Sequence, residues 1–246
     1  MKKNLFILAF CLLTASASSS YAQFKLGFKT ALGFAFNRTD SKTAGQKFES
    51  GPATARIIIG AIADIQFAEK YAFSTGLLYT SKQCNFTQTG PITSNTGVAG
   101  TNSGSETWGT QYLQIPLTMK LFTSEIFPNA KVYIQAGPQI EIMVGKKNKT
   151  STFSGTRTIV NTPPTPNATI DEPTLVKNFN VVDISVTASS GIEYTIGENI
   201  LFGGINFQTG FLNNVWQTNN VYQAGGKEVA FSSKTSMFSI EIGIKL

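Results

Sequence analysis

Downstream of residue 22 the chain alternates repeatedly between large apolar residues and small or polar ones. In Gln23–Phe36, Phe24, Leu26, Phe28, Leu32, Phe34 and Phe36 share one face of an extended segment. Lys25, Gly27, Lys29, Ala31, Gly33 and Ala35 share the other. A period of two is the mark of a β-strand. The last residues repeat it, with Phe238, Ile240, Ile242, Ile244 and Leu246 against Ser239, Glu241, Gly243 and Lys245. Six more such segments lie between: Arg56–Phe67, Tyr71–Lys82, Trp108–Phe122, Lys131–Val144, Val181–Thr195 and Ile200–Phe211. Arg56–Phe67 is the least regular, because Ile58 and Ile62 fall on the face of Asp64 and Gln66. Each segment is near the roughly 9–11 residues that a tilted strand needs to cross a bilayer.

The pattern predicts eight strands, and their connections alternate in length. Asn37–Ala55, Gln83–Thr107, Gly145–Asn180 and Leu212–Ser236 are long. Ala68–Lys70 and Ile196–Asn199 are short, and Thr123–Ala130 is shorter than the long four. An even strand count with the long connections at one end implies an eight-stranded, antiparallel, up-and-down transmembrane β-barrel. Its long loops would be extracellular and its short turns periplasmic. A soluble β-sandwich has no reason to confine its long loops to one end. With the first strand rising from the periplasm, both termini are expected there. The large apolar faces would meet lipid, and the small and polar faces would line the interior. Phe24, Phe67, Tyr71, Phe73, Phe122, Phe127 and Phe202 are expected in an aromatic girdle at the periplasmic side. Phe36, Tyr79, Trp108 and Trp216 are expected in one at the outer side.

The N-terminus adds a destination. Lys2 and Lys3 precede the apolar run Leu5–Leu13, and a small, polar stretch ends in Ser20-Tyr21-Ala22. This is the layout of a secretory signal peptide, with cleavage expected after Ala22. The predicted division is a signal peptide over 1–22 and a barrel domain over 23–246. No apolar run of about 18 residues follows, so no membrane helix is predicted.

Composition narrows the chemistry. Charged residues are 14% of the chain, against roughly 25% in soluble domains. The net charge of +6 is spread without a dense basic run, so no nucleic-acid partner is expected. Outer-membrane lipid, lipopolysaccharide and other envelope proteins are the expected partners. Histidine is absent. That removes His-based acid–base catalysis, a Ser-His-Asp triad and histidine metal sites. It also closes the His-dependent classes of small barrel enzyme: acyltransferases, lipid A deacylases, phospholipases and omptin-type proteases. No Gly-rich phosphate loop, CxxC pair, carboxylate cation loop or internal repeat is present. The chain is read as non-enzymatic, with no catalytic residues, cofactor or metal. Cys84 stands alone in the mature part and cannot form an internal disulfide. It is read as an incidental residue near a strand end.

The candidate site is the barrel interior. Parity places Lys29, Asp64, Lys120, Glu141, Asp183, Glu193, Glu241 and Lys245 there. An eight-stranded lumen is just wide enough for side chains to fill. The expected role is a paired charge network that plugs it, since buried charges are normally paired. The alternative is a narrow transporter or small-ligand binder that uses the same charges. In the longest connection, Pro163-Pro164-Thr165-Pro166 predicts an extended stretch. Its lysines and arginine (Lys146, Lys147, Lys149, Arg157, Lys177) outnumber Asp171 and Glu172.

Some motifs are specific. Tyr112-Leu113-Gln114-Ile115-Pro116-Leu117 with Lys120 resembles the Tyr-Leu-Glu-Ile-Pro-Leu strand of the PorT-like outer-membrane barrels of Bacteroidetes. Gln114 stands where that family has Glu. Ala136-Gly137-Pro138 resembles the Gly-Pro of the strand that follows. The opening Gly27-Phe28-Lys29 strand and the terminal Gly243 strand also fit, with Leu246 in place of the usual terminal aromatic. The resemblance spans essentially the whole mature chain and implies fold and family. Some of those relatives are linked to protein secretion or gliding machinery, so a part in an envelope or secretion assembly is an expectation. It implies no role for any residue here.

Overall fold

The computed structural model describes residues 23–41, 47–93, 99–156, 176–218 and 231–246. The signal segment with its cleavage site and the proline-rich stretch of the longest connection lie outside them. Eleven strands are described: β1 (Gln23–Ser41), β2 (Lys47–Ser50), β3 (Thr54–Ala68), β4 (Tyr71–Thr93), β5 (Ala99–Phe127), β6 (Ala130–Thr156), β7 (Val176–Phe179), β8 (Val182–Ile196), β9 (Asn199–Gly210), β10 (Val215–Thr218) and β11 (Phe231–Lys245).

Eight of these form a closed ring in the order β1, β3, β4, β5, β6, β8, β9 and β11, each antiparallel to its neighbours. The ring closes where β11 pairs with β1, from Gly27↔Lys245 to Ser41↔Phe231. β2 adds to the outer part of β4, and β7 pairs with β10. The end holding Gln23 and Leu246 is called the near end below.

The near-end connections are tight because their residues suit tight turns. β8 and β9 meet at Ile196↔Asn199, and Gly197 takes φ 61°. Positive φ at the first position of a two-residue hairpin loop favours glycine. β5 and β6 meet at Phe127↔Ala130 across Pro128 and Asn129, with Asn129 at φ 65°. Proline presets φ at the first turn position, and Asn tolerates the left-handed second.

The far end departs from expectation. Gln83–Thr107 is not a loop over most of its length: β4 runs to Thr93 and β5 starts at Ala99. β1, β6 and β11 likewise extend into the predicted loops, and β2, β7 and β10 lie within them. These extensions are rich in Thr, Ser, Asn and Gln, so neither face is apolar and the hydrophobic period carries no signal. The backbone ladder, which continues from the ring with register shifts in β5–β6 at Thr107/Trp108 and Gln111/Tyr112, is what holds them in strand form.

Parity sorts the side chains. Phe28 and Leu32 are each 63% exposed on the outer face, within a band that includes Ile57, Ile134, Ile205 and Ile242. Ala31, Ala35, Ile58, Ile62, Leu78 and Met237 are buried inside, packed with Tyr133 and Phe202. Phe24, Phe67, Tyr71 and Phe127 are exposed at the near end, while Phe36, Tyr79 and Trp216 are exposed toward the far end. Phe73 is half-covered. Three aromatics expected in the girdles are elsewhere. Phe202 points into the lumen, Phe122 packs against that inner cluster, and Trp108 packs on an apolar cluster at the far end. Position near a strand end suggested a girdle, but parity and the room left by neighbouring glycine decide for Phe202. A Cβ on Gly243 would lie 2.3 Å from Phe202 Cζ.

Gly243→Val therefore overpacks the lumen, at a cost of about 1–3 kcal/mol. Unheated gel mobility after denaturant titration should show a lower unfolding midpoint. Gly203→Ala, whose Cβ would meet nothing closer than 3.7 Å, should leave the midpoint unchanged.

Candidate functional site: the barrel interior

Every second residue of a ring strand points inward, and this places the eight charged residues read from the sequence in the lumen or at its mouth. They fall into three groups. At the near end, Lys120 (β5) and Lys245 (β11) each contact both Asp64 (β3) and Glu193 (β8). Lys120 Nζ lies 3.3 Å from Asp64 Oδ2, and Lys245 Nζ lies 2.5 Å from Glu193 Oε1. Ser74 Oγ donates to Asp64 Oδ1 at 2.6 Å. Lys120 Nζ also sits 4.0 Å from the centre of the Tyr133 ring, a cation–π contact. In the second group, Lys29 Nζ donates to Glu241 Oε2 at 2.9 Å, and the Tyr133 hydroxyl donates to Glu241 Oε1 at 3.0 Å.

The third group lies toward the far end. Glu141 (β6) pairs with Lys82 (β4), and its Oε1 accepts from Ser185 Oγ at 2.8 Å and from Gln208 Nε2. Asp183 stands directly opposite Glu141 in the β6–β8 register. It forms no ion pair among the described residues.

Lys82 is a lumen cation that the sequence reading left out. It ends a predicted strand, where attention rests on the outward apolar face. Its parity with Ser74, Leu78 and Thr80 was the available signal. Gln114, at the position of the resemblance's Glu, is buried in the lumen and donates to Gln208 Oε1 at 3.4 Å.

An apolar cluster covers the far end. Phe48, Cys84, Phe86, Val176, Phe179, Val215 and Phe231 are buried together, with Trp108 and Met143 against them. The Phe48 and Phe231 rings stack at 4.4 Å, and Trp108 meets Phe179 edge-on at 5.3 Å. Glu106 is buried beside this cluster and accepts from Trp108 Nε1 at 2.9 Å, Val176 N at 3.0 Å and Ser151 Oγ at 3.3 Å. Cys84, read as a residue near a strand end, is inside β4 and fully covered by this cluster.

A cavity of about 50 Å³ at the near-end mouth is lined by Lys25, Asp64, Glu69, Lys131, Glu193 and Lys245, among others. That is room for a few waters. Among the described residues no three His, Cys, Asp or Glu side chains gather as a metal-binding group.

The family described as "Outer membrane protein beta-barrel domain" matches residues 21–243. The chain belongs to that family. This outer-membrane barrel family accounts for the exposed apolar band, which faces lipid instead of water. No match was found among curated proteins. Among solved structures, the chain is similar to outer membrane protein OprG from Pseudomonas aeruginosa, at 10% identity and a TM-score of 0.47, covering 92% of this chain and 98% of that one. It is also similar to Neisserial surface protein A, at 9% identity and a TM-score of 0.40, covering 90% and 97%. A third is the attachment invasion locus protein Ail of Yersinia pestis, solved with the heparin analogue sucrose octasulfate, at 8% identity and a TM-score of 0.27, covering 90% and 99%.

Lys245→Met should destabilise the barrel strongly, by about 3–5 kcal/mol, because it leaves buried carboxylates short of a cation. Adding Glu193→Gln to it should recover part of that loss, since the two residues are in contact. Denaturant midpoints of the three variants in lipid vesicles check both. Cys84 should resist maleimide in the folded protein and react once unfolded, which a mass shift reads directly.

Proposed function

We propose that this chain is a non-enzymatic, non-conducting outer-membrane barrel with a structural or interaction role. The observation that carries this reading is a filled lumen. Charged and polar groups pair across its near and far parts, apolar side chains pack between them, and an aromatic cluster covers the far end. The near-end cavity has room for a few waters. No observation favours the transporter or small-ligand reading over this one. The absence of His leaves no imidazole as a general base near neutral pH.

In the proposed orientation the near end, with its tight turns and both termini, lies in the periplasm. The far-end extensions of β4, β5 and β6 then project from the cell and form the surface that a partner would meet. Outer-membrane lipid and lipopolysaccharide are the proposed surroundings. Arg38 and Lys234 support this: they lie directly opposite each other on β1 and β11 and are both exposed. They sit just beyond Phe36 and Phe238, at the level where lipid phosphates begin. PorT-like membership rests on Tyr112–Leu117 with Lys120, and with it goes a part in an envelope assembly.

In planar bilayers the folded barrel should give no unitary conductance above baseline; steady single-channel steps would overturn the non-conducting reading. For the interaction role, an affinity tag inserted between residues 94 and 98 should recover a defined envelope protein at near-stoichiometric yield in mild detergent. Recovery of the barrel alone would leave a free-standing structural protein.

A further inference from the structure

The inward charges are not shared evenly along the lumen. Lys120, Lys245 and Lys29 pair with Asp64, Glu193 and Glu241 at the near end and in the middle. Toward the far end, Lys82 is committed to Glu141. Asp183 is left over. It is 3% exposed, and its Oδ1 has no hydrogen-bond partner among the described residues. An ionised carboxylate taken out of water without a compensating positive charge is costly.

Two more buried oxygens nearby are also without partners among the described residues: Asn214 Oδ1 and Ser233 Oγ, in residues 3% and 0% exposed. The backbone brings them to the same corner. Asn214 N donates to Ser233 O at 2.7 Å, and Asn214 Nδ2 donates to Thr235 Oγ1 at 2.6 Å. Gly210 joins this corner to Asp183. A Cβ there would lie 2.9 Å from Asp183 Oδ2 and 3.1 Å from Thr235 O, so the missing side chain leaves a space flanked by both oxygens. The groups at this corner are a carboxylate, an amide oxygen, a hydroxyl and a backbone carbonyl. All are oxygens, the donor set of hard cations such as Na⁺ or Ca²⁺ and not of soft metals. A donor set with one formal negative charge matches one monovalent ion.

We propose that Asp183, Asn214, Ser233 and the Thr235 carbonyl bind one small, hard, monovalent cation. Bound there, the ion neutralises Asp183 and ties β8 to the β9–β10 connection and β11 beneath the far-end cover. The site is independent of whether the barrel conducts, so the bilayer recordings and the test below fail separately.

The test uses the full folded barrel in detergent at pH 8. Its thermal midpoint is measured in sodium chloride and in N-methyl-D-glucamine chloride at equal ionic strength. Sodium should raise the midpoint saturably, by roughly 2–4 °C. Asp183→Asn should fold and lose the sodium response. Ser233→Ala should keep a response but need about tenfold more sodium to reach half of it, a loss of one ligand that costs ~1.4 kcal/mol of binding. Equal midpoints in the two salts would overturn the proposal, as would a sodium response that survives Asp183→Asn. A wild-type barrel indifferent to sodium but stabilised on acidification would also overturn it, since a proton would then neutralise Asp183. Should Asp183→Asn fail to fold, an unchanged sodium requirement in Ser233→Ala would overturn it instead.

Discussion

The closure of β11 onto β1 is the constraint on which everything else rests. Inside a lipid layer each unpaired backbone N–H or C=O costs several kcal/mol, and a sheet with two free edges would expose a row of them. The ladder from Gly27↔Lys245 to Ser41↔Phe231 removes both edges at once. Closure also fixes which side of each strand is inside. From then on, the chemistry of a residue's surroundings depends on whether its position is odd or even along the strand.

A ring of eight strands has a narrow interior, and that narrowness governs the polar chemistry. Charges on opposite walls reach one another without spanning water. Lys120 and Lys245 can therefore share Asp64 and Glu193, and Lys29 can reach Glu241 with Tyr133 completing the carboxylate's shell. Such pairs gain in mutual attraction what they lose in hydration, and they tie strands that are distant along the ring. Apolar side chains fill the intervening space, where Ile58 and Ile62 face inward against Leu78 and Met237. The glycines are part of the same fit, since Gly243 makes room for the Phe202 ring and Gly210 for the Asp183 carboxylate.

Beyond the apolar band the requirement changes. Extended strands there are no longer surrounded by lipid, and the polar faces of β4, β5 and β6 suit water. Their inner side nonetheless buries Phe86, Phe179 and Phe231, a small hydrophobic core of the soluble kind set on top of a membrane barrel. β2, β7 and β10 exist to cover it, each a four-residue strand contributing Phe48, Val176 with Phe179, or Val215. The far-end cluster and the paired lumen charges support the proposal that the protein works through its outer surface.

By itself the sequence determined the number of ring strands, the direction of each face and the near-end turns at Ala68–Lys70 and Ile196–Asn199. The expected connection Thr123–Ala130 is instead mostly strand, with only Pro128 and Asn129 between β5 and β6. Period-two alternation is a local property, visible wherever one face must be apolar for lipid. It also placed Lys29, Asp64, Lys120, Glu141, Asp183, Glu193, Glu241 and Lys245 on the inner side, because parity is local too. Tertiary structure alone decided who meets whom. Lys245 faces Asp64 across 181 residues of chain, and no local pattern encodes that. Nor does any pattern tell Phe202, turned inward beside Gly243, from a girdle aromatic, or mark Thr- and Asn-rich segments as strand. Cys84 and Phe86 became core only when β2, β7 and β10 folded over them. The same holds for Asp183, which has no ion pair among the described residues because Lys82 is claimed by Glu141 from a neighbouring wall. Pairing across a closed ring is a property of the ring, and it exists only after the last strand has met the first.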